Sequence, residues 1–154
     1  MQIRFTKNSE SYACFNNSFP TLVTVDNISY PDSESAFQAQ KTEEINEKIK
    51  MSELSGEAAR KAGRNLELRQ DWDDVKYTML VDVLFAKFTQ NLEIQKILLD
   101  TGTDELIADM TSSHGKEYGK CYCNKCNGQG RNLLGKALME VRRRISINQM
   151  MQNI

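Results

Sequence analysis

The first quarter of the chain is dense in aromatic and β-branched residues, holds both prolines, Pro20 and Pro31, and reads as strands. The run IRF near the N-terminus predicts a short first strand. LVTV, a turn at Asp26-Asn27 and then ISY predict a hairpin, because Asn tolerates the positive φ that tight hairpin turns require. Beyond this point the spacing changes to that of helices. Ser33 is a candidate cap for a helix running through Phe37 to about Lys41. GEAARKAGRN predicts a short helix ended near Gly63. A longer helix starts at Asp71 and places Val75, Met79, Val83, Leu84 and Phe88 on one face. Another covers about Leu92 to Leu99 and stops at Gly102, and the last is striped by Leu134, Leu138, Val141 and Ile145. These stripes are core positions. The pattern predicts a helix-rich α/β fold, one compact domain over residues 1–154 with a small N-terminal strand region.

A chain of 154 residues suits one domain with a single core, and 40% hydrophobic with 27% charged residues is ordinary for a globular protein. A net charge of −1 gives no global pull toward nucleic acid or membrane, so a nucleic-acid role would need a local patch such as Arg142, Arg143 and Arg144. At the end of a helix those arginines better suit a solvated surface, which also complements the helix dipole. No apolar run approaches the roughly 20 residues that cross a bilayer. MQIRFTKNSE lacks the apolar stretch of a secretory signal. Three of the four cysteines are crowded together, unlike the spread framework of a disulfide-stapled secreted domain, and the chain reads as cytoplasmic, with no membrane or obligate protein partner.

Several polar groups carry candidate chemistry. Glu34, Gln38 and Lys41, at spacings of four and three, put a carboxylate, an amide and an ammonium on one helix face. Such a face is either solvated or, given Phe37 and the small residues beside it, the wall of a pocket. Trp72 opens the long helix, as core or as a platform for a ligand. Arg131-Asn132 follows GQG and precedes an apolar helix, which places N–H groups and a cation at a helix N-terminus. Cys121, Cys123 and Cys126, with His114 or the distant Cys14 as the fourth, supply ligands of zinc-suitable type, either a structural zinc site or free thiols in a loop.

YPDSESAFQAQKT, EAARKAGRNLELRQDWDDVK, KFTQNLEIQKILLDTGTDELI and GQGRNLLGKALMEVR, in that order and spacing, resemble the NADAR family over roughly Ile3 to Ile145. The resemblance implies a hydrolase of the N-glycosidic bond between a ribose C1 and a nitrogen base. The substrate would be an ADP-ribosylated guanine, free, in a nucleotide or in DNA, or else a riboflavin-pathway intermediate. No cofactor is needed for that chemistry. A carboxylate beside the sugar would stabilise the positive charge that develops at C1 and orient water. Glu34 matches the family's key glutamate. Asn17, Gln38, Lys41, Arg69, Trp72, Tyr118, Arg131 and Asn132 match positions that would bind substrate. Asp109 stands where many relatives have glutamate, and Lys7 is the N-terminal lysine that a Schiff-base route would use. One departure is clear. Where relatives carry an aspartate ahead of Trp-Gly, this chain has Gly115 ahead of Tyr118-Gly119. Such a chain is a slow enzyme, uses Glu117 or Asp109 in that role, or binds ADP-ribose or a nucleotide without turning it over.

Overall fold

The computed structural model describes residues 1–153 and divides into two units: Met1–Asn16 with the chain from Glu93 onward, and Asn17–Leu92. In the first unit, β1 (Gln2–Phe5) pairs in parallel with β4 (Glu105–Ala108), Gln2 opposite Glu105 and Phe5 opposite Ala108. β4 lay outside the predicted elements because its apolar run is short and its partner lies far away in sequence. Leu106, Ile107 and Ala108 are all buried, which is what a parallel strand covered on both faces requires. The cover includes α6 (Leu133–Gln152), whose predicted stripe of Leu134, Leu138, Val141 and Ile145 is buried throughout. α5 (Leu92–Asp100) precedes β4 and turns at Gly102 as its sequence predicts.

One side chain joins β4 to α6. Asn132, in the left-handed region at φ 55°, donates from Nδ2 to the Leu106 carbonyl (2.9 Å) and accepts the Ala108 N–H at Oδ1 (3.0 Å). Its amide therefore stands in for the peptide group of a further strand on the edge of β4 that β1 leaves open. The close approach needs a glycine: a Cβ on Gly135 would collide with the Leu106 carbonyl and with the Asn132 amide. The arginine triplet of α6 is not a basic patch. Arg142 is buried and donates to Thr101 Oγ1 (2.8 Å), while Arg143 and Arg144 both pair with Glu140. Hydrogen bonding by Arg143, then by Arg144, holds the Glu140 carboxyl down at about 2 against its partial desolvation.

In the second unit the predicted hairpin forms from β2 (Val23–Val25) and β3 (Ile28–Tyr30), with Asp26 and Asn27 both at positive φ (49° and 67°). Gln90, at the end of α4 (Trp72–Gln90), completes β2 by accepting the Thr24 N–H and donating to the Thr24 carbonyl, each at 2.8 Å. Val83, Leu84 and Phe88 of the predicted α4 face are buried, whereas Val75 and Met79 are only half-buried. α1 (Ser33–Ala39) is buried along its whole length. Its cap is Asp32, one residue before the expected Ser33. Asp32 Oδ1 accepts the Ser35 N–H, and its Oδ2 accepts the Gly56 N–H at the start of α3 (Gly56–Gly63), both at 2.8 Å. α1 ends at Ala39, so Lys41 lies in the turn beyond it. α2 (Ile45–Met51) had no sequence signal because it buries only Met51. Among the described residues no helix is long and apolar enough to cross a membrane.

Asn132→Ala should cost about 2–4 kcal/mol in chemical denaturation, because it strands two buried backbone groups of β4; a cost below 1 kcal/mol would show that β4 does not depend on the amide. Tyr30 is fully buried, and its hydroxyl has no hydrogen-bond partner among the described residues. Burial first, and Asp26 second, push it up to about 12. The fold disfavours the phenolate, so the stability is intact below the ordinary tyrosine value near 10 and falls as pH rises from there to about 12. Tyr30→Phe should therefore stabilise the protein by about 1 kcal/mol at neutral pH and flatten that alkaline decline in a pH series of thermal melts.

Candidate active site

The Asn17–Leu92 unit gathers most of the predicted polar face. Glu34 is 6% exposed, although it carries a carboxylate. Gln38 Nε2 (3.1 Å) and Arg60 Nε (3.0 Å) both donate to its Oε1, and Oε2 accepts no hydrogen bond among the described residues. Gln38 lies one helical turn on and is equally buried; its Oε1 has no hydrogen-bond partner among the described residues. This amide rests on the backbone of α3 at Gly63, where any Cβ would collide with Gln38 Oε1. Arg60 also binds Glu57 through Nη1 (2.7 Å). Burial pulls its guanidinium down, but Glu34 and then Glu57 outweigh that and hold it above its ordinary value. Arg60 was not among the residues expected from sequence. Its only local signal is the Glu57 spacing of three, whereas its contact with Glu34 spans two helices.

Asn17 supports the start of α1. Its carbonyl accepts the Glu34 N–H (2.8 Å) and, with its Oδ1, faces the Ser33 hydroxyl at 3.1 and 3.0 Å. Lys87 Nζ donates to the same hydroxyl (3.2 Å) from a fully buried position on α4, beside the Phe88 ring. A lysine at helical spacing from Leu80, Val83 and Leu84 is the sequence signal for this residue, and the hydrophobic stripe masks it. Trp72 is 7% exposed, with its ring centroid 5.4 Å from that of Phe37 at a tilt of 46°. It packs the α1–α4 contact and offers little face. Lys41 is half-buried, and its carbonyl accepts the Arg69 N–H (2.8 Å). The Arg69 guanidinium is engaged by Asp71 (2.6 Å) and Glu43 (3.2 Å).

Arg69 is the only one of these residues that lines the cleft of about 670 Å³ in this unit. The walls of that cleft carry Glu43, Glu44, Glu47 and Glu67, a charge that repels phosphates. Glu34 and Gln38 do not line it, so it is not the site their chemistry would serve.

The remaining candidates lie in the other unit. Lys7 is exposed in the turn after β1. Asp109 continues β4 by donating its N–H to the Phe5 carbonyl, and its Oδ1 accepts from the Thr111 N–H (3.0 Å) and hydroxyl (2.6 Å). The side chain of Asn132 is taken up by β4 as described above. Arg131 is exposed, and its N–H donates to the Lys116 carbonyl (2.7 Å). Tyr118 is half-buried, and its carbonyl accepts the Leu134 N–H (2.9 Å). At Gly115 a Cβ would meet Met110 Cβ at 3.1 Å and Sδ at 3.2 Å, so a larger residue there requires Met110 to give.

His114, Cys121, Cys123 and Cys126 come together in this unit. The Cys126 N–H donates to Cys123 Sγ (3.4 Å) and, with the neighbouring thiols, brings Cys123 down to about 6, while the thiols of Cys121 and Cys123 push Cys126 up to about 11.

Residues 4–146 match the model of the NADAR domain family. The chain belongs to the NADAR family. It is 35% identical to the N-glycosidase YbiA of Shigella flexneri over 94% of its own length and 89% of that protein. It is 32% identical to a riboflavin biosynthesis protein of Vibrio vulnificus, over 91% of its own length and 37% of that longer protein. The solution structure of Escherichia coli YbiA superposes with a TM-score of 0.83 at 31% identity, covering 97% of this chain and 89% of that one. The helix-rich α/β reading thus matches the fold of a NADAR-family structure.

Because Trp72 is packed on Phe37, Trp72→Ala in this NADAR-family chain should lower stability by about 3–5 kcal/mol in denaturant titration. A loss below 1 kcal/mol would mark the ring as an open platform instead.

Proposed function

We propose that this chain hydrolyses the N-glycosidic bond between a ribose C1 and a nitrogen base, and that its preferred substrate is an ADP-ribosylated guanine. The observation that carries the reading is Glu34: a nearly buried carboxylate with Oε1 fixed by two donors and Oε2 uncommitted. As the C1–N bond breaks, its electron pair leaves with the base and the sugar carbon becomes cationic. A fixed carboxylate oxygen at that carbon stabilises the charge most strongly where water is scarce. Water then bonds to C1 and gives up a proton, and the departing base gains one. Gln38 and Arg60 hold the carboxylate through Oε1. The names of the relatives, N-glycosidases among them, support the reaction class.

A riboflavin-pathway intermediate is the competing substrate, favoured by the relatives named as riboflavin biosynthesis proteins. It contains the same bond, so Glu34 would act in the same way. A module that binds without turnover is favoured by Gly115, which brings no carboxylate to that position and where a side chain would need Met110 to give a little.

The protein should be incubated with ADP-ribosylated guanosine, alone and within single-stranded DNA, and with a riboflavin-pathway N-glycoside, following base release by mass spectrometry. ADP-ribose release is expected, with kcat reduced about 10²–10⁴-fold in Glu34→Gln. Cleavage of the riboflavin-pathway compound alone would transfer the proposal to that substrate. Tight binding of ADP-ribose with every substrate left intact would establish the binding module, and equal turnover by the variant would remove Glu34 from the chemistry.

A further inference from the structure

Between the 3-10 turn that ends at Ser113 and the start of α6 at Leu133, the chain forms no helix or strand, only isolated bridges. Loops longer than about 12–15 residues without secondary structure are uncommon in compact proteins unless something organises them. Apolar packing is a weak organiser here. Cys121 and Cys126 are buried, but Asn124, Lys125, Asn127 and Gln129 around them are exposed. What the loop does concentrate is one imidazole nitrogen and three sulfurs, all within 4.8 Å of one another.

We propose that His114, Cys121, Cys123 and Cys126 form a structural zinc site. Zinc takes thiolate sulfur at about 2.3 Å and imidazole nitrogen at about 2.0–2.1 Å in a tetrahedron. Those lengths place sulfurs about 3.8 Å apart and nitrogen about 3.6 Å from each sulfur. His114 Nδ1 lies 3.4 Å from Cys121 Sγ and 3.6 Å from Cys123 Sγ. The backbone is already shaped around the ligands. His114, exposed and in the left-handed region (φ 54°), sets Nδ1 against the sulfurs, and Asn127 and Gly128, also at positive φ, fold the chain back after Cys126. The Cys126 N–H donates to Cys123 Sγ, an outer contact of the kind that orients metal-bound thiolates. Cys121 N–H to Gln129 carbonyl (3.0 Å) and Gly128 N–H to Cys121 carbonyl (2.7 Å) close the loop.

Three thiolates and a neutral imidazole, its proton on Nε2, give the zinc complex a net charge of −1, and the protons displaced from the thiols pass to solvent. Four protein ligands fill the tetrahedron, so no position remains for water or substrate and the metal is not catalytic. Soft thiolate donors favour zinc over the hard cations. The work of the site is mechanical. It fixes the segment whose Lys116, Glu117, Tyr118 and Gly119 carbonyls accept the N–H groups of Arg131, Leu133, Leu134 and Asn132 at the head of α6.

The test is native mass spectrometry of the full reduced chain, expressed with zinc and measured with and without chelator, alongside cobalt substitution read by the visible absorption of tetrahedral cobalt thiolate. One zinc per chain is expected, lost to chelator with a fall in melting temperature. Cys126→Ser and His114→Ala should weaken retention by well over tenfold in chelator competition, since losing even an outer-shell partner costs about 10–100-fold. His114→Cys should retain the metal as a four-thiolate site. Circular dichroism of each variant separates loss of metal from loss of fold. A reduced wild-type chain that takes up no zinc, a native disulfide among these cysteines that persists in its place, or undiminished retention by Cys126→Ser would overturn the proposal.

Discussion

Keeping a carboxylate nearly out of water is the constraint on which the Asn17–Leu92 unit depends. An isolated buried charge costs several kcal/mol, so structure must collect around it. α1 and its cap carry two such groups, and they are treated differently. Asp32 uses both oxygens on backbone N–H groups, capping α1 and fastening the start of α3, so it is spent on architecture. Glu34 has both of its donors on a single oxygen. A half-satisfied buried carboxylate is poor economy for stability alone, and that is the ground on which Glu34 is proposed for the chemistry.

The other unit solves a different problem, a two-stranded parallel sheet with an open edge. The Asn132 amide closes that edge, Gly135 lets α6 come close enough to do so, and the cysteine-rich loop delivers Asn132 to its place. Residues that look like binding groups in a linear motif thus divide once folded. Asn132 and Trp72 hold elements together, whereas Glu34 leaves Oε2 without a hydrogen bond among the described residues.

Legibility in the sequence followed the range of the interactions. The hairpin was readable because Asp26-Asn27 encodes positive φ locally, and α6 because four apolar residues repeat at helical spacing. α2 buries one residue and left no periodicity to read. β4 is defined by a partner strand a hundred positions away, so local pattern could not reveal it. The Glu34–Gln38 spacing showed the polar face, but Arg60, which fixes that carboxylate from another helix, was invisible in one dimension. Lys87 was hidden inside a hydrophobic stripe, and Arg142, apparently part of a solvated cationic run, turned inward to Thr101.

Whether Glu34 serves chemistry or merely packing is decided by the thermal stability of Glu34→Gln. Arg60 remains 43% exposed along its side chain and keeps Glu57 as a partner, so removing the Glu34 charge strands no buried cation. A functional carboxylate therefore predicts a variant that melts at the wild-type temperature or above it while base release is lost. A variant that melts well below the wild type, with activity lost only in proportion to unfolding, would make Glu34 a structural ion pair and contradict its place in the chemistry.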